Sequence, residues 1–493
     1  MPTRGLRLSS SLGVEFGVAM LVAGVITLLA IAGIDKLGTI GLALPLAILV
    51  GGVLIARPAL SISLLVGLVI LFEGVFGLFS FTARLYEQVY KDVSLLDLVV
   101  ILAVAAVAVD VLRSGRSIWV PRPLALPSIV LALAMTAGIV VGHEGGASLH
   151  YAFFSEHVLF YLLFLPLAVA NLDVSRRQVV WALGALAALA VVKAVLGLAE
   201  VFGHLGPSIE GTSTLTYYEP AANWVVMVAV LTIAALALRR VRAPAWVYLA
   251  PPLLIASLVL SYRRSFWIAG ILGLLLVLLL GSTATTRKAL LPAALALAAA
   301  IWLLGSISFQ SQSPLVKRLT SLSPTKLESN AEDRYRLDER ANVWGEISAH
   351  PITGIGVTIP WQAKVQPLSV EHEDGRQYVH FAALWFWLKM GILGLWAYLA
   401  YLLAGMVVAF QAWRASREPF LRAFALASLC AIVGLIAMDT TASFTGVDPR
   451  FTVLVAAQLG LLAKLKRIAR DEREQELVPA PLRPPNAPRP VRA

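Results

Sequence analysis

Long apolar segments recur along almost the whole chain, and they restrict its fold more than any other feature. Hydrophobic residues make up 59% of the 493 residues and charged residues 14%, against about 45–50% and about 25% in ordinary globular proteins. A membrane-spanning helix needs about 20 mostly apolar residues. Segments of this kind lie at 12–34, 37–56, 59–81, 94–113, 124–142, 154–171, 178–203, 219–238, 245–261, 265–281, 287–305, 391–412, 420–439 and 447–464. The sequence therefore predicts an all-α polytopic membrane protein with about 14 transmembrane helices.

The positions of the cations predict the orientation of these helices. Lys and Arg total 40 and Asp and Glu 29, which gives a net charge of +11. Most of the cations lie between alternate spans and in the C-terminal tail, as the positive-inside rule expects of cytoplasmic segments. Both termini are therefore predicted to be cytoplasmic, and the long loop 306–377 is predicted to face outward. Charges at helix ends do not indicate a nucleic-acid partner, and the single cysteine, Cys430, excludes a disulfide scaffold.

The same pattern divides the chain into five parts. We expect N-terminal transmembrane helices over 1–204, helices with an arginine-bearing outward turn over 205–305, an outward loop with an interfacial helix over 306–390, C-terminal transmembrane helices over 391–464 and a cytoplasmic disordered tail over 465–493. Ser329 to Glu332 fits a capping box, which predicts that the outward loop contains a helix over 330–349. Residues 378–390 have a helical pattern too short to cross, which predicts a re-entrant or half helix.

Arginines and histidines are concentrated on the predicted outward side. Arg263 and Arg264 occupy a tight outward turn against the positive-inside trend, and Arg336, Arg340 and Trp344 are spaced four apart, so they share one helix face. The first pair could bind phosphate or could simply reach lipid headgroups. The second set could bind an anion or could form a solvated basic stripe with one anchoring indole. His143, His150 and His157 could in principle bind a metal, although their placement does not favour this.

Guanidinium groups and a histidine beside the membrane favour one kind of chemistry. P-loop, dinucleotide-binding, zinc-helix and nucleophile-elbow motifs are missing from the sequence. Arginines bind phosphate bidentately, and a histidine can accept a proton from a hydroxyl as a bond forms. Together they suit transfer from a lipid-linked diphosphate, in which the bond that breaks already supplies the energy. Neither a nucleotide cofactor nor a metal is expected.

Three motifs follow one another in the second half of the chain. One is His380 followed eleven residues later by Gly391, with Gly394 after it. Another runs from Arg340 and Trp344 to the turn His350-Pro351-Ile-Thr-Gly354-Ile-Gly356. The third is the turn Ser261-Tyr262-Arg263-Arg264-Ser265, and a looser motif runs from Gly211 through Glu219 to Asn223. Together they resemble the bacterial O-antigen ligase and O-antigen polymerase superfamily of membrane glycosyltransferases, and the resemblance covers roughly residues 205–440.

The resemblance implies a metal-independent, inverting transfer of a glycan from an undecaprenyl-diphosphate donor to an acceptor hydroxyl on a glycan or lipid. It places the enzyme in the bacterial inner membrane, with its site facing outward and no cofactor. By motif, His380 is the base, and Arg263 or Arg264 together with Arg340 binds the diphosphate. Phe381 departs from the family, which usually has a polar residue after the histidine. The further predicted substrate-binding residues are Arg336, Trp344, Tyr218, Glu219, His372 and Asp439.

Several alternatives remain open from the sequence. His372 could compete with His380 for the base role, and His380 could merely cap a helix. Glu73, Lys193 and Glu200 lie inside predicted spans, where ionisable residues are costly, and they could make structural polar contacts. The sequence does not separate a ligase from a polymerase. A flippase for lipid-linked oligosaccharides, another polysaccharide transporter or a non-catalytic assembly protein are the competing functions.

Overall fold

The computed structural model describes residues 43–71, 88–90, 93–154, 156–204, 208–209, 213–214, 220–290, 292, 331–368 and 376–477. Within these, fourteen helices are α1 Ala43–Ala56, α2 Pro58–Leu71, α3 Leu95–Arg113, α4 Arg122–Glu144, α5 Leu149–Phe154, α6 Val158–Ala170, α7 Arg176–Phe202, α8 Pro220–Leu238, α9 Ala245–Val259, α10 Arg264–Gly281, α11 Ala331–Ala349, α12 Ala382–Ala415, α13 Pro419–Met438 and α14 Pro449–Leu477. Two short antiparallel ribbons pair β1 Gln88–Tyr90 with β2 Val93–Ser94 and β3 Ser208–Ile209 with β4 Ser213–Thr214.

The helices have the length and composition of membrane spans. Among the residues described above, seven helices are long and apolar enough to cross a membrane, or up to eight if Val50–Ala56 and Pro58–Leu71, bent by 117°, form one broken span. A helix satisfies its backbone hydrogen bonds internally, which the hydrocarbon core requires. Local sequence determines where α3 and α7 begin, because Ser94 with Asp97 and Ser175 with Gln178 form capping boxes at their N-termini. The prediction of an all-α polytopic membrane protein is confirmed, and the count of about 14 spans is not.

Six predicted spans coincide closely with helices that pass this test, namely 94–113, 124–142, 178–203, 219–238, 265–281 and 420–439. Two others are shorter than predicted, because 154–171 contains a break before α6 and 245–261 ends with α9 at Val259. Segments 12–34 and most of 287–305 lie outside the described residues. Helix α14 begins within the predicted span 447–464 and continues to Leu477, so the first part of the predicted tail is helical.

The C-terminal helices form the packed centre of the bundle. Helix α12 packs against α4, α13 and α14, while α13 also packs against α8 and α10, and α14 packs against α6. Aromatic contacts join these helices, with Trp224 of α8 5.2 Å from Phe451 of α14, measured between ring centroids. Helix α8 is mostly buried by these neighbours. The C-terminal helices α12, α13 and α14, packed with α4, α6 and α8, therefore form the part of the bundle that the long loop contacts.

Helix α12 is interrupted at Gly391, where a loop of the chain inserts. Gly391 has φ 64° and ψ −161°, a conformation open to glycine and strained for other residues. In an unbroken helix the Leu388 carbonyl would accept from the Ile392 N–H. Instead, Ile355 N–H donates to the Leu388 carbonyl over 2.7 Å, and Ile392 N–H donates to the Ile352 carbonyl over 3.2 Å. The loop thus satisfies both groups that the break releases.

The same loop joins the interrupted helix to α4. Val357 N–H donates to the Gly138 carbonyl over 3.0 Å, and a Cβ added at Gly142 would lie 2.4 Å from the Val357 carbonyl oxygen. The Lys389 ammonium donates to the Ile359 carbonyl over 2.6 Å. Residues 382–390 are therefore a short half helix, clamped between the inserted loop and the bundle, which begins just after His380.

Candidate functional site

His380 lies immediately before α12 and is held by a buried glutamate from α11. Glu339, which is 1% exposed, accepts the His380 backbone N–H over 2.8 Å with one carboxylate oxygen. Its other oxygen lies 3.1 Å from Nδ1 of the His380 ring. The two contacts fix both the main chain and the ring of the histidine. They also join the helix of the long loop to the start of the half helix.

Two tyrosines stand beside the imidazole. The Tyr378 and His380 ring centroids are 4.8 Å apart with an interplanar angle of 83°, and the Tyr335 ring meets His380 edge-on at 5.9 Å. The Tyr378 hydroxyl accepts from Ser443 N–H over 3.0 Å. Burial raises the pKa of Tyr378 well above its usual range, so this phenol stays neutral near the histidine. The ring of His380 thus contacts two aromatic rings and one carboxylate.

Arg340 follows Glu339 in the sequence and reaches the residue that follows His380. Its guanidinium carbon lies 5.5 Å from the centroid of the Phe381 ring, within the range of a cation–π contact. Two of the predicted motifs thus meet through neighbouring contacts, Glu339 with His380 and Arg340 with Phe381. The aromatic residue that departs from the family pattern is the one on which this arginine rests.

The other two predicted residues of α11 lie at the same surface. Arg336 is close enough to Tyr378 to interact with it electrostatically. Trp344 meets Trp387 of the half helix edge-on, with ring centroids 5.7 Å apart, and the Trp387 indole N–H donates to the Pro351 carbonyl over 2.9 Å. The predicted face of Arg336, Arg340 and Trp344 is therefore turned toward the segment 378–387.

Arg263 and Arg264 form the turn before α10, and α10 packs against α13. Tyr262 has a φ of 53°, and Ser261 donates its hydroxyl to the Leu258 carbonyl over 2.7 Å, which closes the turn. Phe266, one turn into α10, packs on Phe444 with ring centroids 5.8 Å apart. Phe444 belongs to the connection 439–448, which is also bonded to Tyr378. The arginine turn thus lies at the same end of the bundle as His380, with this connection between them.

Asp439 stabilises that connection. Its carboxylate accepts from the Tyr398 hydroxyl over 2.9 Å and from Phe444 N–H over 3.2 Å, and its backbone carbonyl accepts from Ala382 N–H over 3.0 Å. Burial raises the pKa of Asp439 to about 7. These contacts make Asp439 a support for the start of the half helix, two residues after His380.

The remaining predicted residues are placed as follows. Tyr218, Glu219 and His372 lie outside the described residues. Where the chain is described, no group of three or more His, Cys, Asp or Glu side chains is arranged to hold a metal ion. His143 contacts the Ala147 carbonyl over 2.9 Å and His157 contacts Asp97 over 3.2 Å, so these two rings have other neighbours.

Glu339 is the residue that the sequence analysis missed. The buried face of α11 carries Tyr335, Glu339, Asn342, Val343, Glu346 and Ile347. These positions recur with the spacing of one helix face, so Glu339 is an acid on a stripe that also holds Val343 and Ile347. Charged residues are seldom buried without a partner. A carboxylate on the apolar stripe of a polar helix is the signal that could have identified it.

Comparison with protein families supports the motif analysis. Residues 252–399 match the family model Wzy_C, described as O-Antigen ligase. The matched region contains Arg263, Arg264, Arg340, His380 and Gly391. A search of curated proteins finds no match to the chain. The match and the apolar helices together point to a bacterial membrane protein that is similar to the O-antigen ligase family.

Proposed function

We propose that the protein transfers a glycan from an undecaprenyl-diphosphate donor to an acceptor hydroxyl at the outer face of the bacterial inner membrane. The proposal rests on the contact between two motifs, those of His380 and Arg340, within the region that matches the O-antigen ligase family. Glu339 accepts a hydrogen bond from the His380 backbone N–H. Arg340, the residue after Glu339, makes a cation–π contact with Phe381, the residue after His380. The proposed proton acceptor, His380, and the proposed phosphate-binding residue, Arg340, therefore lie near each other at one end of the bundle.

In the proposed reaction His380 acts as the general base. The acceptor hydroxyl gives its proton to the imidazole as its oxygen attacks the anomeric carbon of the donor sugar. The bond between that carbon and the diphosphate oxygen breaks, and the electron pair leaves with undecaprenyl diphosphate. Attack from the face opposite the leaving group inverts the configuration at the anomeric carbon. The proton then passes from His380 to the departing diphosphate or to water.

In this scheme arginines bind the leaving group and stabilise its charge. Arg340, together with Arg263 or Arg264, binds the diphosphate and neutralises the charge that develops as the bond breaks. Guanidinium groups hold their charge throughout the physiological pH range, so they can serve without a divalent cation. Arg336, Trp344, Tyr218, Glu219 and His372 stay proposed substrate contacts. Asp439 is proposed to act through the backbone that it supports.

A lipid-linked oligosaccharide flippase or another transporter is the alternative. It would need a polar path through both leaflets. The charged residues of the candidate site, among them Glu339, Arg340 and His380, instead lie together at one end of the bundle, which favours the enzyme over a transporter. Ligase and polymerase share the same donor chemistry.

The purified protein in nanodiscs tests the proposal directly. We would supply undecaprenyl-diphosphate-oligosaccharide, first alone and then with candidate acceptor lipids, and resolve the products by length. A ladder of lengthened lipid-linked glycans indicates a polymerase, and products only on an added acceptor indicate a ligase. We expect His380→Ala and Arg264→Ala to abolish either product, and a chelator to leave it unchanged. Activity that a chelator removes and a divalent cation restores would contradict the metal-independent scheme.

A further inference from the structure

The pairing of Glu339 with His380 carries an inference that rests on the proposed function. We propose that Glu339 is the positioning residue of His380, and that its carboxylate selects the imidazole tautomer whose proton is on Nδ1. Nε2 is then the nitrogen that accepts the proton of the acceptor hydroxyl.

The tautomer follows from the hydrogen-bonding capacity of each group. An ionised carboxylate only accepts hydrogen bonds, and a backbone N–H only donates. One Glu339 oxygen takes the His380 backbone N–H over 2.8 Å, and the other lies 3.1 Å from Nδ1. Nδ1 must therefore carry the hydrogen that it shares with the carboxylate. In a neutral imidazole the second nitrogen, Nε2, is then the acceptor.

The geometry also fixes the orientation of the ring. The two contacts to one carboxylate hold the main chain and the imidazole of His380 together. Tyr378 and Tyr335 meet the ring at 4.8 Å and 5.9 Å and restrict its rotation. Preorganisation of this kind is what a general base needs, because proton transfer requires the acceptor within hydrogen-bond reach of the hydroxyl.

Glu339 has a second effect through its neighbour in the sequence. Because Glu339 is bound to His380, the next residue of α11, Arg340, is brought over the Phe381 ring. The distance between the proposed base and the proposed diphosphate-binding arginine is thereby set by one short helix segment. In this way Glu339 positions both groups of the reaction without touching the substrate itself.

Docking of α11 does not depend on Glu339 alone, which supplies a matched control. Asn342, one turn further on and also buried, accepts from Val365 N–H over 2.7 Å and from Gln366 N–H over 3.0 Å. The Lys364 ammonium lies 3.1 Å from the Glu346 carboxylate. Asn342→Ala should therefore weaken the docking of α11, while the partner of Nδ1 stays in place.

Two variants at Glu339 separate positioning from packing. Glu339→Ala removes both contacts. Glu339→Gln keeps the volume and can still accept the His380 backbone N–H with its amide oxygen, but it presents an N–H group to Nδ1. Gln therefore favours the opposite tautomer, with the proton on Nε2, and the base is lost although the fold is kept. In serine proteases an amide in place of the orienting carboxylate acts in the same way and lowers kcat by about 10⁴-fold.

The experiment combines histidine ¹⁵N NMR with transfer kinetics on the full-length protein in nanodiscs. His380→Ala identifies the His380 signals. For the neutral imidazole we expect the wild type and Asn342→Ala to carry the proton on Nδ1, and Glu339→Gln to carry it on Nε2. We expect Glu339→Gln to lower kcat by about 10²–10⁴-fold with little change in KM, and Glu339→Asp to recover part of the loss.

The outcomes distinguish this inference from the proposed function. An unchanged tautomer in Glu339→Gln would overturn the positioning role, whatever the activity. A further drop in kcat when Glu339→Gln is added to His380→Ala would also contradict it, because two residues that act as one unit are not additive. Full transfer activity in His380→Ala would overturn the proposed function instead, and the NMR result on Glu339 would still stand by itself.

Discussion

Two histidine–carboxylate pairs lie at the same end of the bundle, and their carboxylates make different further contacts. His380 with Glu339 and His157 with Asp97 have similar separations, 3.1 Å and 3.2 Å. Asp97, however, is also engaged at the start of its own helix, where it accepts the backbone N–H and the hydroxyl of Ser94 over 2.6 Å each, and it further accepts from the Tyr161 hydroxyl. It caps α3 and joins that helix to α6.

The glutamate of the other pair binds His380 at two points. Both oxygens of Glu339 contact this residue, one at its backbone N–H and one at its ring. The partner comes from a helix of the long loop rather than from a neighbouring span, and an arginine follows it directly. A histidine–carboxylate pair alone therefore does not identify a functional site. The other contacts of the carboxylate distinguish Asp97, which caps α3 and binds α6, from Glu339, which contacts both the main chain and the ring of the proposed base His380.

Substituting each histidine should separate these roles, and it gives the largest expected effect. His380→Ala should lower the rate of glycan transfer by about 10²–10⁴-fold and change thermal stability little, because a general base contributes that much. His157→Ala should leave transfer intact and lower stability by about 1–2 kcal/mol through the lost contact to Asp97. Transfer rates and thermal unfolding would be measured on the same preparations. Equal loss of transfer in both variants would break the comparison.

Substitutions of Arg340 test whether the residue after Glu339 binds the diphosphate, a feature that the His157–Asp97 pair lacks. Arg340→Ala should lower transfer by about 10²–10³-fold, the usual cost of losing one donor to a developing anion. Arg340→Lys should recover little, because an ammonium cannot bind two phosphate oxygens with the same fixed geometry. Arg334, exposed on the same helix, is the matched control, and Arg334→Ala should act like the wild type. Strong recovery by lysine would show that only the charge matters.

The break in α12 is expected to matter for His380 and not for His157. Gly391→Ala should destabilise the protein by roughly 3–5 kcal/mol through backbone strain and overpacking, because an added Cβ would lie 1.9 Å from the Ile352 carbonyl oxygen. Gly184→Ala in α7 is the control. With nothing within 4 Å of the added Cβ, it should stabilise by about 0.5–1 kcal/mol. Thermal unfolding measures both, and a tolerated alanine at 391 would contradict the loop insertion.

The smallest expected effect is a pH dependence at Asp439. Burial raises its pKa from the ordinary value of 3.8 to about 7, so the folded state binds this proton more tightly than the unfolded state. The resulting stability is present below about pH 4 and is lost as the pH rises through 7. Asp439→Asn removes this dependence, so the variant should gain roughly 1–3 kcal/mol on the wild type between pH 5 and 8. Parallel stability–pH curves would contradict it.

Much of the fold could be predicted from apolar periodicity and charge placement. The bounds of α3, α4, α7, α8, α10 and α13 follow the predicted spans closely, because length and hydrophobicity alone determine a crossing helix. The motifs also predicted that Arg340, His380 and the glycines belong together. Trp344, predicted from the sequence as a substrate-binding residue or an anchoring indole, contacts Trp387 of the half helix.

The features that the sequence did not predict depend on tertiary contacts. Insertion of residues 352–355 at Gly391 exchanges hydrogen bonds between segments far apart in the chain, and no local pattern encodes that exchange. Glu339 was missed for the same reason, because its partner lies 41 positions away. Asp439 as a partner of the arginines stays a prediction, and the hydrogen bonds of its carboxylate with Tyr398 and Phe444 could not be read from the sequence. A sequence can show that an acid lies on the apolar face of a helix, but it does not show which residue that acid contacts in the fold.

A structure with a donor analogue bound would test the central claim most directly. Electron cryomicroscopy of the protein in nanodiscs, with an undecaprenyl phosphonate analogue of the glycan donor that resists cleavage, would locate the two phosphorus atoms. We predict that the diphosphate group lies between Arg340 and the Arg263–Arg264 turn, with the anomeric carbon facing Nε2 of His380. A diphosphate bound at the opposite end of the bundle, or along a path between the spans away from His380, would contradict the account and favour a transporter.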